Sequence, residues 1–397
     1  MQLIHRTMGP YLARLAEQYP VVTVTGPRQS GKTTLCRMVF PGKKYVSLEN
    51  LDTRLYATED PRGFLAGLPE GGILDEVQHC PDLLSYIQTV VDTDERKGLY
   101  ILAGSRQFKG AGTVSQSLAG RTPLLKLLPF SIEELGVERT GTEVDRLLLT
   151  GFYPRIWKEQ LNPTEALGSY LETHVERDTR QLVAVKDLSL FQRFVTLCAG
   201  RIGQLLNFNS LAADTGISRQ TASNWLSLLE ASYVVFRLPP YFANVGKRLV
   251  KSPKLYFYDV GLASYLLGLE NTLHVSRDPL RGNLFENMVV MEALKYQLHR
   301  GKRSNLYFYR DSNGNEVDLL FSIGPDLFPV EIKAGMTLTT AYFKGLDRFG
   351  RLFDLSQGRG LVYGGKEQQQ RSGTLVFPAF SVHELIAEME ARFMNSQ

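Results

Sequence analysis

Val21-Val-Thr-Val-Thr25 followed by Gly26-Pro-Arg-Gln-Ser-Gly31-Lys32-Thr33-Thr34 is the stretch that decides the fold. Five β-branched residues in a row read as a buried strand. The glycine-rich turn behind them fits G-x-x-x-x-G-K-[ST], and a helix is expected to begin at its end. Such a turn curls so that its N–H groups face phosphate at the positive end of the next helix. Gly26, Pro27, Arg28, Gln29, Ser30, Gly31, Lys32, Thr33 and Thr34 are therefore the expected cradle for ATP. Lys32 would reach the β- and γ-phosphates, and the Thr33 hydroxyl would ligate Mg2+.

Working outward, Gly71-Gly-Ile-Leu-Asp75-Glu76 is a short apolar strand ending in two acids. Paired with the loop, it places Asp75 as a magnesium ligand acting through water and Glu76 as the general base. A third strand, Leu99 to Ala103, ends in Gly104-Ser105-Arg106, where Ser105 would sense the γ-phosphate. A short helix from Ser115 to Gly120 precedes Arg121 and a last strand, Leu124 to Leu128. An arginine at that point is where an oligomeric ATPase presents a finger to its neighbour's nucleotide. Arg106 competes for the role, and an intramolecular ion pair of Arg121 is the alternative.

At 397 residues the chain is long enough for two or three domains, with 43% hydrophobic and 22% charged residues. Cys36, Cys80 and Cys198 lie far apart and match no metal or redox spacing, as in a reducing compartment. The six histidines are equally scattered, which argues against a zinc site. Residues 1–20 read as a short polar helix and not as a signal peptide, and no apolar run spans a bilayer. A cytoplasmic protein without membrane contact is expected. The net charge of +4 is unevenly spread: between Lys186 and Lys254 nine Lys/Arg face three acids. That local surplus is the footprint of a polyanion partner.

The surplus coincides with a pattern. Residues 209–217 read as a helix closed by a turn at Gly216, and Ser218 caps a second helix. Ala222, Trp225, Leu226 and Leu229 share one face of it, leaving Arg219, Gln220, Ser223 and Asn224 outward. Val234 to Leu238 would begin a wing. The reading is a winged helix-turn-helix whose outward residues contact DNA; a packing module within an assembly is the alternative.

Further on, residues 254–259 (KLYFYD) read as a strand and 263–267 as a helix. Glu286 falls on a helix from about Leu284, strands are expected at 306–310 and 316–321, and Pro329-Val-Glu331-Ile-Lys333 ends the set. Glu331 and Lys333 share a strand face. Asp318 and Glu331, supported by Glu286, would ligate Mg2+ or Mn2+, and Lys333 would orient or activate water for phosphodiester attack.

With GPRQSGKTT at 26–34, ILDEVQ at 73–78, LAGR at 118–121 and the PFSIEEL stretch from Pro129, the chain resembles a prokaryotic family of predicted ATPases. VERDTRQL at 175–182, the SRQTASNWLSLLE helix, YFYDVGLASYLLG at 256–268, FEN, EVDLLF and PVEIKAG extend the resemblance over nearly the whole chain. It implies an α/β fold: an AAA+ domain at 1–132, a helical lid at 133–185, a winged helix at 186–253, and a restriction-endonuclease-like PD-(D/E)XK domain at 254–397. It also implies a homo-oligomer in which Arg121 works in trans, and a nuclease-type fold around Glu286, Asp318, Glu331 and Lys333. Fold does not fix activity. The reading is an ATP-driven DNA-acting protein whose C-terminal domain cuts or grips DNA with Mg2+ or Mn2+; a non-cleaving DNA-binding switch and an ATPase whose later modules hold protein partners are the alternatives.

Overall fold

The computed structural model describes residues 3–105, 118–176, 187–241, 251–324, 326–353, 355 and 358–395. Arg106, Ser115 to Ser117, the stretch from Arg177 to Lys186, and Lys247 with Arg248 lie outside the described residues. The chain divides into two compact units. The first is residues 1–130 with 231–233 and 297–302; the second is residues 131–230, 234–296 and 303–397.

In the first unit, β1 (Val21–Thr25), β2 (Tyr45–Ser47), β3 (Gly72–Asp75), β4 (Tyr100–Gly104) and β5 (Leu124–Lys126) form one sheet in the order β2-β3-β4-β1-β5. Every pairing in it is parallel. Parallel strands require both faces covered, which is why β1, β3 and β4 read as near-continuous apolar runs. Helices α1 (Gly9–Ala16), α2 (Lys32–Val39), α3 (Leu51–Glu59), α4 (Pro61–Ala66) and α5 (Leu83–Thr93) belong to this unit. One core gathers Leu65, Leu74, Leu84, Ile87 and Leu102, and another gathers Leu12, Val22, Val24, Leu35, Ile73 and Ile101. Alternation along the strands explains the split: Val22 and Val24 face one core, while Val21 faces the other. The expected strands sit where the sequence puts them within one or two residues. Strand β2 is an addition, too short to leave a periodic signal. In place of the expected helix end, Leu118 to Arg121 form a turn.

The second unit opens with short helices at Ile132–Leu135, Val137–Thr140, Val144–Thr150, Pro154–Glu159 and Pro163–Tyr170, and a wider helical turn at Leu171–Glu176. Then come α6 (Leu188–Ala199), α7 (Phe208–Thr215) and α8 (Arg219–Ala231). Gly216 closes α7 in the left-handed conformation at φ 85°, a geometry that disfavours side chains. The Ser218 hydroxyl accepts from the Thr221 amide at 3.0 Å and starts α8. Ala222, Trp225, Leu226 and Leu229 are buried, with Trp225 edge-on to Phe191 and Phe194 of α6. Strand β6 (Val235–Leu238) pairs antiparallel with β7 (Lys254–Phe257). That pairing crosses the 253/254 boundary drawn from sequence, because a two-stranded ribbon needs both partners.

The rest of the second unit is a six-stranded mixed sheet of β8 (Leu306–Arg310), β9 (Glu316–Ile323), β10 (Asp326–Lys333), β11 (Arg359–Tyr363), β12 (Gln369–Arg371) and β13 (Thr374–Pro378). Its order is β12-β13-β11-β10-β9-β8. It is joined by α9 (Arg281–His299), α10 (Lys344–Phe349) and α11 (Val382–Asn395). No helix among the described residues is long and apolar enough to cross a membrane.

Candidate active site and a second carboxylate cluster

The carboxyl ends of β1, β3 and β4 carry Gly26, Asp75 and Ser105 to one edge of the sheet, where open parallel sheets bind ligands. The loop between β1 and α2 is bent at three positive-φ residues: Gly26 (151°), Gln29 (60°) and Gly31 (91°). A Cβ on Gly26 would stand 2.0 Å from the Leu127 carbonyl oxygen, so only glycine fits. Arg6, which belongs to no motif, holds the loop from behind. Its guanidinium donates to the Ser30 carbonyl at 2.7 Å and the Leu128 carbonyl at 2.6 Å, and lies over the Phe130 ring.

Lys32 is 5% exposed, and its ammonium donates to the Gly26 and Pro27 carbonyls at 3.1 and 2.7 Å. Burial pulls its pKa down to about 8, against the opposing pull of Glu76 and Asp75. The Thr33 hydroxyl donates to Asp75 Oδ2 at 2.6 Å, and the Tyr45 hydroxyl donates to the same oxygen at 3.0 Å. Glu76 has a left-handed backbone at φ 54°. Its Oε2 accepts from Ser105 Oγ at 3.0 Å and from Gln78 Nε2, while Gln78 also donates to Ser105 at 3.0 Å. Tyr45 and Gln78 were not anticipated. Gln78 lies two residues beyond Glu76 in ILDEVQ, but nothing in the spacing says that its amide folds back.

These residues fit a nucleoside triphosphate. The loop turns through three positive-φ residues, the Lys32 ammonium bonds only main-chain carbonyls, and Ser30 Oγ is buried without a hydrogen-bond partner among the described residues. A hydroxyl and a carboxylate in direct contact, Thr33 and Asp75, are the oxygen donors a magnesium ion shared with phosphates would take. Arg121, expected to reach a neighbour, donates from Nε and Nη2 to the two Asp92 oxygens at 2.5 and 2.9 Å.

In the second unit Glu286, Asp318, Glu331 and Lys333 are gathered with two lysine ammonium groups among the carboxylates. Lys333 Nζ lies 3.0 Å from Asp318 Oδ2 and 2.6 Å from Glu331 Oε1, and the Ile332 amide donates to Asp318 Oδ2 at 2.8 Å. Glu286 Oε1 accepts from Lys254 Nζ at 2.8 Å and from the Tyr256 hydroxyl at 2.6 Å. Lys254 also meets Glu316 at 2.5 Å. Burial, reinforced by Asp318, pushes Glu331 up to about 8 against the pull of Lys333. Burial also raises Glu286, against Lys254. Among the described residues no three His, Cys, Asp or Glu side chains are placed to hold a metal ion. Each carboxylate of the expected Mg2+ or Mn2+ set, Glu286, Asp318 and Glu331, has a lysine ammonium beside it. Lys254, Tyr256 and Glu316 were missed. Lys254 and Tyr256 share a strand face by alternation, but their partner lies about thirty residues away and leaves no local signal.

Of the outward residues on α8, Arg219, Gln220 and Asn224 are exposed and Ser223 is half-buried. Gln220 Nε2 donates to Asn224 Oδ1 at 2.9 Å, a helical i,i+4 pair.

The sheet, the loop and the Asp75–Glu76 strand end define a P-loop ATPase. Comparison with known families agrees: residues 18–136 match an AAA domain, residues 141–273 a domain of unknown function (DUF8612), and residues 281–382 another (DUF4143). The chain is 32% identical over 382 residues to uncharacterized protein Rv2008c of Mycobacterium tuberculosis and, equally, to uncharacterized protein Mb2031c of Mycobacterium bovis. Each match covers 95% of this chain and 83% of the relative. The chain belongs to the same family as these two mycobacterial proteins, and its N-terminal part carries an AAA domain. It is also similar to the Walker-type ATPase PABY2304 of Pyrococcus abyssi, at 16% identity and a TM-score of 0.38 over 66% of this chain and 96% of that one, a likeness too slight to argue from. An AAA ATPase acts on ATP, usually with Mg2+.

Proposed function

We propose that this ATPase is a nucleotide-switched DNA-binding protein in which α8 is the recognition helix and the first unit sets its state. The observation that carries the reading is the exposure of Arg219, Gln220 and Asn224 on one face of α8, behind a glycine turn and ahead of a two-stranded ribbon. Residues at the N-terminal end of a recognition helix meet base edges in the major groove. Gln220 and Asn224 are the side-chain types that read adenine, and Arg219 the type that reads guanine or phosphate. We name the fold of residues 187–241 with 251–257 a winged helix on this ground.

At the nucleotide site, bound ATP with Mg2+ supplies the phosphoanhydride that water cleaves. Lys32 and the loop amides hold the phosphate chain and offset charge as it develops. Thr33 and Asp75 would hold a magnesium ion, which would offset the charge of the phosphates, and Glu76 takes the proton of the attacking water. Gln78 and Ser105 hold the Glu76 carboxylate in the free chain, so one of those bonds must yield before Glu76 reaches water. Ser105 would then report the γ-phosphate. Arg121 would serve a neighbouring copy in a homo-oligomer only by leaving Asp92, and its side chain is exposed enough to do so.

The test is anisotropy of a labelled duplex titrated with the full chain, with and without a non-hydrolysable ATP analogue, at several salt concentrations. The reading predicts affinity that falls steeply with salt, differs between nucleotide states and weakens in Arg219→Ala. No salt-dependent binding in any nucleotide state would move α8 to the role of a protein-packing element.

A further inference from the structure

We propose that Lys254 is the resident cation of the carboxylate cluster in the second unit, and that this cluster therefore takes up no divalent metal. The inference stands apart from the DNA reading and from the ATPase. It rests on which oxygens are already engaged. Glu286 Oε1 accepts two donors, the Lys254 ammonium at 2.8 Å and the Tyr256 hydroxyl at 2.6 Å. Asp318 Oδ2 accepts the Ile332 amide and the Lys333 ammonium, and Glu331 Oε1 faces Lys333 at 2.6 Å. Glu316 is shared between Lys254 and Arg310, at 2.5 and 3.0 Å. A hard divalent cation needs several such oxygens together, and it would be repelled by the ammonium groups beside them.

The one buried carboxylate oxygen without a hydrogen-bond partner among the described residues, Glu331 Oε2, does not face open space. It lies against α10, where a Cβ on Gly345 would stand 3.0 Å away.

The two lysines differ in how firmly they stay. The Lys333 side chain is 32% exposed and can turn toward solvent. That of Lys254 is 3% exposed, rises from a paired strand and lies against the Phe308 ring. The strand is itself pinned: Asn287 accepts from the Phe257 amide at 2.7 Å and donates to its carbonyl at 3.1 Å. Because Asn287 adjoins Glu286 on α9, the same contact fixes Lys254 against Glu286. Lys254 is thus a fixture of the fold, and removing its charge is what would open the cluster to metal.

The experiment counts Mn2+ bound to the full chain by electron paramagnetic resonance, in an Asp75→Ala background that silences the nucleotide site. We expect no bound ion in Asp75→Ala and one ion per chain in Asp75→Ala/Lys254→Met, lost again on adding Glu286→Gln. An ion bound by Asp75→Ala with Lys254 intact, and removed by Glu331→Gln, would overturn the proposal. No ion in either of the first two variants, with Lys254→Met folded by circular dichroism, would overturn the role given to Lys254. If Lys254→Met does not fold, the Asp75→Ala count still decides: no ion supports a closed cluster and one ion refutes it.

Discussion

Both units of this chain bury lysine beside carboxylate, yet the two arrangements have opposite electrostatic outcomes. Lys32 lies within reach of the fields of Asp75 and Glu76 but bonds only the Gly26 and Pro27 carbonyls, and burial draws its pKa down to about 8. Lys254 is as deeply buried. Burial pulls it down too, but Glu286, Asp318 and Glu316 outweigh that pull and raise it above its ordinary value. The first lysine is desolvated and wants an anion, whereas the second already has one. Residue types alone do not separate a site built to receive charge from one that has closed on its own; direct pairing does.

Five substitutions or titrations break or sharpen that contrast. Lys32→Ala should lower ATP turnover by about two to three orders of magnitude, as expected for losing a donor to developing charge. Glu76→Gln should match that loss while keeping ATP bound, which steady-state turnover and a nucleotide-binding assay separate. Lys254→Ala should destabilise the second unit by about 3–5 kcal/mol, since it strands Glu286 as an uncompensated buried charge. Thermal or denaturant unfolding measures it, and a loss below about 1 kcal/mol would mean the pair is solvated like a surface bridge.

Glu331 should give the second unit a pH dependence. Its folded pKa lies above that of the unfolded chain, so the folded state binds more protons between about 4.5 and 8. Stability from this group is therefore full at acid pH and falls as pH rises through about 8. Glu331→Gln should flatten that slope in unfolding curves recorded from pH 5 to 9.

The smallest effect is a proton count. Lys32 is depressed when free, and phosphate beside it favours the ammonium, so ATP binding near pH 8 should take up about half a proton. The same binding at pH 6, where the ammonium is already formed, should take up almost none. Calorimetry in buffers of different ionisation enthalpy reads the difference, and Lys32→Met should abolish it.

What could be read from the sequence follows the same division. The strand-loop-helix at 21–34 and the acids at 75–76 are local: each residue's role is set by neighbours a few positions away. The turn at Gly216 and the buried face of Ala222, Trp225, Leu226 and Leu229 were legible for the same reason. At the second cluster alternation and the Glu331–Lys333 spacing, local signals too, are what single out the four residues. The ion pairs that close it were not. They join Lys254 on β7 to Glu286 on α9 and Glu316 on β9, contacts made by tertiary folding alone. Arg6 behind the loop, Tyr45 on Asp75 and the Gln78 amide on Glu76 escaped notice likewise, since only the folded sheet brings them to their partners.

The most direct measurement is the number of Mn2+ ions bound per wild-type chain in the presence of a non-hydrolysable ATP analogue, followed by electron paramagnetic resonance. One ion per chain is predicted, appearing with the nucleotide and lost in Asp75→Ala. Two ions, the second indifferent to nucleotide and removed by Glu331→Gln, would contradict the contrast between an open site and a closed one.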